Sequence, residues 1–459
     1  MRVLAGSLIT SFALVACGGD ENKQQPDAHV AVDAASNPDA PPEPLTGPER
    51  AAIHLLSPLP AVPADTTNAF ADNALAAALG QKLFYDKSYS GALAVGDDGT
   101  NGGLGMVGET GKASCASCHA ASSETMVDLR SAPNNVSLGT DFGTRNALGI
   151  INSSFLKWTN WGGRFDSQWS LPIAVSENPK IMKSTRLQVA HMLYAKYRTE
   201  YNAVFPTPLD PALDPAAADA SRFPATGKPK ALPADPPGAW EGMTSTDQDA
   251  VNRIIANYGK ALAAYLRKLT SGNAPFDRYV AGDKTAISMS AIRGIKVFLA
   301  KGCVTCHSGP SFSDGLFHAL VVPQTGAHVP AVDKGRNQDV PPLLASLFNT
   351  SGPYSDDTNT GKLTGLVQDP AQTGLFRTPT LRNVALSGSF MHSGQFATLE
   401  EVVAFYDQGG GDPGTSGVVK DPLIVPLSLS AQDKTDLVEL LKTLTGEPVT
   451  ASLLVDTSK

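Results

Sequence analysis

Three observations predict a mostly α chain of two small helical domains joined by long irregular loops. Apolar residues recur at helical spacing in several segments, and alternating runs are scarce. The motif Cys-x-x-Cys-His also occurs twice, at Cys115–Cys118–His119 and Cys303–Cys306–His307. That motif is the attachment signature of a c-type haem: both cysteines add across the vinyl groups, and the histidine is held where it can bind iron. Each domain is expected to gather around one covalent haem.

Other readings of a paired cysteine carry less. A zinc site needs four converging ligands, and the two motifs lie far apart in sequence. A dithiol redox site would not need the trailing histidine, still less need it twice. Apart from Cys17, every cysteine falls in one of the two motifs.

At 459 residues, with 42% hydrophobic and 17% charged side chains, the chain can build two or three cores. The net charge of −8 does not suggest a nucleic-acid partner. Abundant glycine (42) and proline (34) predict long loops between modest helices.

Residues 1–17 read as an export signal, with Arg2 ahead of an apolar stretch. Leu14-Val-Ala-Cys17 resembles a lipobox, which makes Cys17 the expected lipid anchor; the alternative is a plain signal peptide with an incidental cysteine. The expected location is the periplasm or cell envelope, with membrane contact through that anchor alone. Residues 18–48, rich in Asp, Ala and Pro, are expected to form a flexible tether.

Helices are expected over Ala74–Phe84, Ser184–Tyr201 and Asp247–Leu269, the last with apolar residues at 251, 254, 255, 258, 262, 265, 266 and 269. Ser88–Lys112 and Asn134–Thr144 read as loops, and 206–238 as an inserted Pro- and Ala-rich loop. Ser288 can cap a helix over Ala291–Lys301 that runs into the second motif. After a Gly- and Pro-rich region, 308–375, helices follow at Thr398–Tyr406 and Ser430–Thr445. The expected divisions are 49–283 for the first haem domain and 284–448 for the second.

Phrases through most of the globular part resemble the bacterial di-haem cytochrome c peroxidase and MauG family. They include Leu79-Gly-Gln-Lys-Leu-Phe84, Thr144-Arg-Asn-Ala147, Trp161-Gly-Gly-Arg164, Glu177-Asn-Pro179, Ser271-Gly-Asn-Ala-Pro-Phe-Asp277 and Phe376-Arg-Thr-Pro-Thr-Leu-Arg-Asn-Val384. The resemblance implies two cytochrome-c-like helical domains: a C-terminal haem that takes in electrons and an N-terminal haem that meets peroxide. It also implies calcium at the domain junction, held by Asn146 and by the carbonyls of Ser387 and Ser389; the alternative is that these are ordinary loop residues. Oxygen donors of this kind suit that hard cation. Family members often dimerise, so a homodimer is a further expectation from the resemblance.

The resemblance also bears on the remaining ligands. Counting forward from His392 places Tyr406 where the family carries the distal ligand of the C-terminal haem, and Met391 is the rival. A phenolate there would favour ferric iron, whereas a thioether favours ferrous iron. The histidine that blocks the first haem in many relatives is missing from Ser137-Leu-Gly139. The first iron is therefore expected to be open, with His54 and His191 as the nearest alternatives in sequence. The family's distal glutamine and glutamate correspond to Leu171 and Ile181, neither of which can move a proton. Glu177, Gln168 or Asp166 could substitute. Trp161 matches the tryptophan between the two haems, as a relay or a buried anchor. Arg164, Arg382 and His392 are candidate partners for haem propionates.

Three functions follow from the resemblance. The first is reduction of hydrogen peroxide with electrons from a small cytochrome c or cupredoxin. The second is oxidation of a protein side chain, and the third is electron transfer without catalysis.

Overall fold

In a computed structural model, the described residues are 45–99, 101, 103–122, 126–128, 136–414 and 417–459. The export signal, Cys17, the tether up to residue 44 and the start of the 134–144 loop lie outside them. The described chain is helical with very little sheet. In order the helices are α1 (Gly47–His54), α2 (Ala74–Tyr85), α3 (Cys115–Cys118), α4 (Ser170–Glu177), α5 (Arg186–Val204) and α6 (Ser245–Leu266). Then come α7 (Pro275–Val280), α8 (Met289–Ala300), α9 (Arg336–Leu344), α10 (Leu399–Asp407) and α11 (Ala431–Lys442). Two short antiparallel strands, β1 (Phe317–His318) and β2 (Phe376–Arg377), pair Phe317 with Arg377 and His318 with Phe376. Among the described residues no helix is long and apolar enough to cross a membrane.

The helices begin where side-chain oxygens cap free N–H groups. Thr244 accepts from the Asp247 amide, and Ser288 accepts from the Ala291 amide. Thr398 with Glu401, and Ser430 with Asp433, form reciprocal capping boxes. The long sixth helix stops at Leu266, three residues short of the sequence expectation. Helices α1, α4, α7 and α9 were not expected. Three of them carry proline in or near the first turn, and α9 contains Pro341 and Pro342, so a proline-averse reading passes over them.

Two hydrophobic cores form, one behind each Cys-x-x-Cys-His motif. The first centres on α2, α5 and α6, with Leu79, Leu83, Trp169, Leu193, Ile255 and Leu262 fully buried. The second centres on α8 and α11, with Ile295, Phe298, Phe312, Leu440 and Leu444. The cores are not two continuous segments. Leu45, Ile53 and Leu56 from the start of the described chain pack in the second core, while Val449, Leu453 and Leu454 from its end pack against the first.

Each core is closed by a helix pair whose backbones touch at glycine. A Cβ on Gly80 of α2 would lie 2.0 Å from the Ala261 carbonyl oxygen of α6. One on Gly294 of α8 would lie 2.1 Å from the Asp436 carbonyl oxygen of α11. The pairs therefore cross closer than any other residue permits. Gly80→Ala is expected to cost about 1–3 kcal/mol through overpacking, read as a lower midpoint in chemical denaturation.

A buried ion pair pins the N-terminal arm to the second core. Arg382 binds Asp277 through Nη1 and Nη2 at 2.6 and 2.9 Å, and Asp277 also accepts from Ser57 Oγ at 2.6 Å. Burial alone would raise the Asp277 carboxyl, yet Arg382, Ser57 and the Ala274 amide hold it below its usual range. The pair thus stabilises the fold above the unfolded carboxylate pKa of about 3.9 and is lost as pH falls through the lower folded value. Asp277→Asn leaves a buried guanidinium uncompensated and is expected to destabilise by roughly 3–5 kcal/mol at neutral pH, with a smaller penalty in acid.

Candidate haem and active site

The first motif forms a single helical turn, α3, and the second a 3-10 turn over Cys303–Thr305. His119 Nδ1 lies 3.2 Å from the Met126 carbonyl oxygen, and His307 Nδ1 lies 3.0 Å from that of Phe312. Nδ1 is thereby the protonated donor in both rings, and Nε2 is left with its lone pair outward, as an axial ligand requires. Burial lowers the pKa of both imidazoles, with the carbonyl bonds partly opposing it. Both rings are neutral at pH 7 and able to bind metal.

Cys303, Cys306 and His307 open onto a cavity of about 690 Å³. Phe298, Val384, Val403 and Leu441 supply apolar wall, and that size is in the range of pockets that enclose a cofactor. The residues present fit a haem. One observation points there most directly: Arg377 lines this cavity almost fully buried and, among the described residues, without an acidic partner. Its guanidinium reaches only the carbonyls of Thr378 at 3.1 Å and Asn160 at 3.5 Å, and burial drops its pKa to about 10. A buried cation without a counter-charge is expensive, and a propionate carboxylate would supply one. The sequence reading passed over Arg377, although it stands in the quoted phrase Phe376-Arg-Thr-Pro.

Arg382 also lines the cavity, but four of its five N–H groups are already taken by Asp277 and by the carbonyls of Pro310 and Leu56. Its visible work is the ion pair. Arg164 is exposed, with its guanidinium over the Phe165 ring, 5.9 Å from the centroid, and it does not line this cavity.

Tyr406 and Met391 both face the cavity. Tyr406 comes from the last turn of α10, where burial raises its pKa and Cys303 and Cys306 lie near enough to add to the shift. Met391 comes from a loop residue with φ +70°. His318, beside the same cavity, is clamped by Asp421 at 2.6 Å and Asp314 at 2.9 Å. The Cys306 sulfur and these two carboxylates raise its pKa, and the carboxylate part of that shift persists when the sulfur is a thioether. Cys306, Asp314 and His318 converge within 4.8 Å, but the thioether that the motif implies at Cys306 would leave no thiolate for a separate metal.

The junction between the cores is a hydrogen-bonded chain. Trp161 Nε1 donates to the Asn146 carbonyl at 2.7 Å, and the Asn146 amide donates to the His392 carbonyl at 2.7 Å. The Trp161 and His392 rings meet edge to face at 6.3 Å, and Phe376 stacks on His392 at 3.7 Å. Burial lowers His392 to about 4, so it is neutral and pairs through Nε2 with the Gln324 amide at 2.7 Å. Arg145 locks the junction from behind, through Asp333 at 2.6 and 2.8 Å and Asp339 at 2.6 Å. Asn146, Trp161, Ser387, Ser389 and His392 all border the cavity. So does Val127, next to the carbonyl that holds His119.

Around the first motif the structure brings together the residues at the altered positions. Cys118 Sγ lies 3.6 Å from the Leu138 carbonyl oxygen. A Cβ on Gly139 would meet Ile181 backbone at 2.4 Å. Neither histidine offered as an alternative is free to block the iron: His54 is exposed at the end of α1, and both ring nitrogens of His191 bind backbone carbonyls. Of the three possible proton carriers, Glu177 is paired with Arg186 at 2.8 Å, and the Gln168 amide is bound to Ser153 and Ser154. Asp166 is different. Its Oδ2 accepts from Thr350, while Oδ1 is buried without a partner.

The sequence profile of the di-haem cytochrome c peroxidases matches residues 74–285. The cytochrome-c peroxidase IdrP2 of Denitromonas iodatirespirans is 35% identical over 214 residues, 46% of this chain and 53% of that protein. The methylamine utilization protein MauG of Methylorubrum extorquens is 32% identical over 226 residues, 49% of this chain and 53% of that protein. The chain spans about half the length of these relatives. A MauG-like protein associated with microbial copper homeostasis superposes with a TM-score of 0.58 at 23% identity, covering 87% of this chain and 97% of that one. The diheme peroxidase BthA of Burkholderia thailandensis gives 0.56 at 21%, covering 85% and 91%. At such identities the likeness is one of fold.

Arg377→Leu should keep covalent attachment, since no motif residue changes, yet lower the midpoint potential of the second haem. Removing a buried cation favours the more positive, ferric state. A spectroelectrochemical titration in which neither potential moves would remove Arg377 from the site.

Proposed function

We propose that the chain is a two-haem peroxidase that reduces hydrogen peroxide, on the premise that residues 74–285, which match the profile of the di-haem cytochrome c peroxidases, carry that family's chemistry. The observation that carries this reading is the pair of motif imidazoles, each oriented by a carbonyl on Nδ1 so that Nε2 is left to ligate. His119 and His307 would hold the irons, and Cys115, Cys118, Cys303 and Cys306 the porphyrins. When bound, haem supplies one-electron redox chemistry and, at an open position, a place for peroxide.

The two sites differ in what this chain puts around them. The second has a phenol, Tyr406, and a methionine facing its cavity, and either would close the sixth position. The first has Leu138, Gly139 and Ile181 where a blocking histidine and a distal acid would stand, so it stays open and apolar. Such a pocket excludes water but moves no proton itself. Asp166 is the nearest substitute in kind, because its Oδ1 is buried and unpaired. Trp161 supports passage of electrons between the sites, since it borders the second cavity and is fixed to Asn146. The donor would be a small cytochrome c or cupredoxin.

The same features support a second reading, oxidation of a protein side chain. A phenolate at the second site and a first pocket poor in acid groups would both favour a long-lived oxidised state. Calcium would take oxygen donors at the junction from Asn146, Ser387 and Ser389, all of which border the cavity. Calcium retained through desalting and lost in Asn146→Ala is the corresponding check.

The oxidised protein is expected to show one high-spin and one low-spin ferric signal by electron paramagnetic resonance, with the low-spin signal changed in Tyr406→Phe. Two low-spin signals would contradict the open first site. Mixed with peroxide in a stopped-flow cell, rapid turnover with reduced cytochrome c supports the peroxidase. A persistent oxidised state with slow turnover supports the side-chain oxidase, and no reaction refutes both.

A further inference from the structure

The first core is rich in phenols. Seven of the ten tyrosines, at positions 85, 89, 197, 201, 258, 265 and 354, pack in it. Each buried hydroxyl needs a partner that phenylalanine would not, so the choice of tyrosine calls for a reason.

Two of these phenols stand against the first motif. The Tyr89 hydroxyl stands near the Cys115 sulfur and lies 2.9 Å from the Tyr258 hydroxyl, with the rings edge to face at 5.9 Å. Tyr89 also directs its O–H to the Leu83 carbonyl at 3.3 Å. No carboxylate bonds either hydroxyl, so neither can readily release its proton. A third phenol does have an acceptor. Tyr197 of α5 donates to Asp86 Oδ2 at 2.7 Å. Asp86 follows the last residue of α2 and also binds Lys196 Nζ at 2.8 Å. Tyr197 packs in the same hydrophobic core as Tyr89 and Tyr258, which places these three phenols and Asp86 in one region of the fold. Lys82 and Lys196 each stand 5.9 Å from the Tyr197 ring centroid. Two cations beside a ring disfavour a radical cation, so an electron can leave this ring only together with the phenolic proton.

We propose that Tyr197 is a redox-active residue, the exit for oxidising equivalents from the first haem site when no external donor is bound. This rests on the peroxidase reading, with hydrogen peroxide as the oxidant that is reduced. One electron leaves Tyr197 and passes inward by way of Tyr258 and Tyr89 to the oxidised site. The Tyr197 O–H bond breaks, its proton moves to Asp86 Oδ2, and a neutral tyrosyl radical remains beside a protonated Asp86. An external donor later returns the electron, and Asp86 returns the proton.

The test mixes the full di-haem protein with hydrogen peroxide, without a donor, and follows it by rapid-freeze electron paramagnetic resonance alongside haem absorption. The expected result is a narrow tyrosyl signal that collapses with ring-deuterated tyrosine and is lost in Tyr197→Phe. Haem content and the peroxide-induced absorption change should persist in that variant. Asp86→Asn should lose the signal as well. If absorption changes but no tyrosyl radical forms, or the radical survives Tyr197→Phe, the relay is wrong and the peroxidase reading stands. If peroxide leaves the haem absorption unchanged, both fall.

Discussion

The Nδ1 nitrogen of each motif histidine is held by a backbone carbonyl, seven residues on for His119 and five for His307. Everything else in the chain depends on where that bond leaves the other nitrogen. A free imidazole would sample many orientations and both tautomers. A carbonyl on Nδ1 fixes one tautomer and aims the Nε2 lone pair outward from the Cys-x-x-Cys turn. The cost of ordering that ring is met by the cores behind it, where glycine lets α2 touch α6 and α8 touch α11.

The two sites then diverge through their surroundings. At the second, a buried guanidinium, a phenol and a histidine held between two carboxylates border one cavity, which gives it a polar lining. At the first, Leu138, Gly139 and Ile181 are brought together beside the motif, and the core next to it is rich in tyrosine. Between them Trp161, Asn146 and His392 form a continuous bonded junction, held from behind by Arg145 and two aspartates. The proposed division into a closed site and an open one would thus follow from side chains, while both Cys-x-x-Cys-His turns orient the histidine by a backbone carbonyl.

Much of this was legible in the sequence. The long helices announced themselves by apolar spacing and by capping residues at Ser288 and Ser430. Two five-residue motifs marked the turns whose histidines the structure orients by backbone carbonyls. What escaped had a physical reason in each case. Helix α9 contains two prolines, and its stability comes from burying Val340 and Leu343 instead of from propensity. The crossing of the chain ends, with Leu56 in the second core and Val449 in the first, is a long-range fact that no local pattern encodes. Arg382 and Arg377 lie five residues apart in one phrase, and sequence alone does not tell which has a carboxylate partner. Asp277 answers that from more than a hundred residues away.

The central claim is that one chain carries two covalent haems on carbonyl-oriented histidines. Protein matured in a host competent for c-type haem attachment, assayed as the pyridine haemochrome against protein concentration, tests it most directly. The account predicts two haems per chain, falling to one when either cysteine pair is replaced by alanine. A stoichiometry of one in the unaltered protein would contradict it.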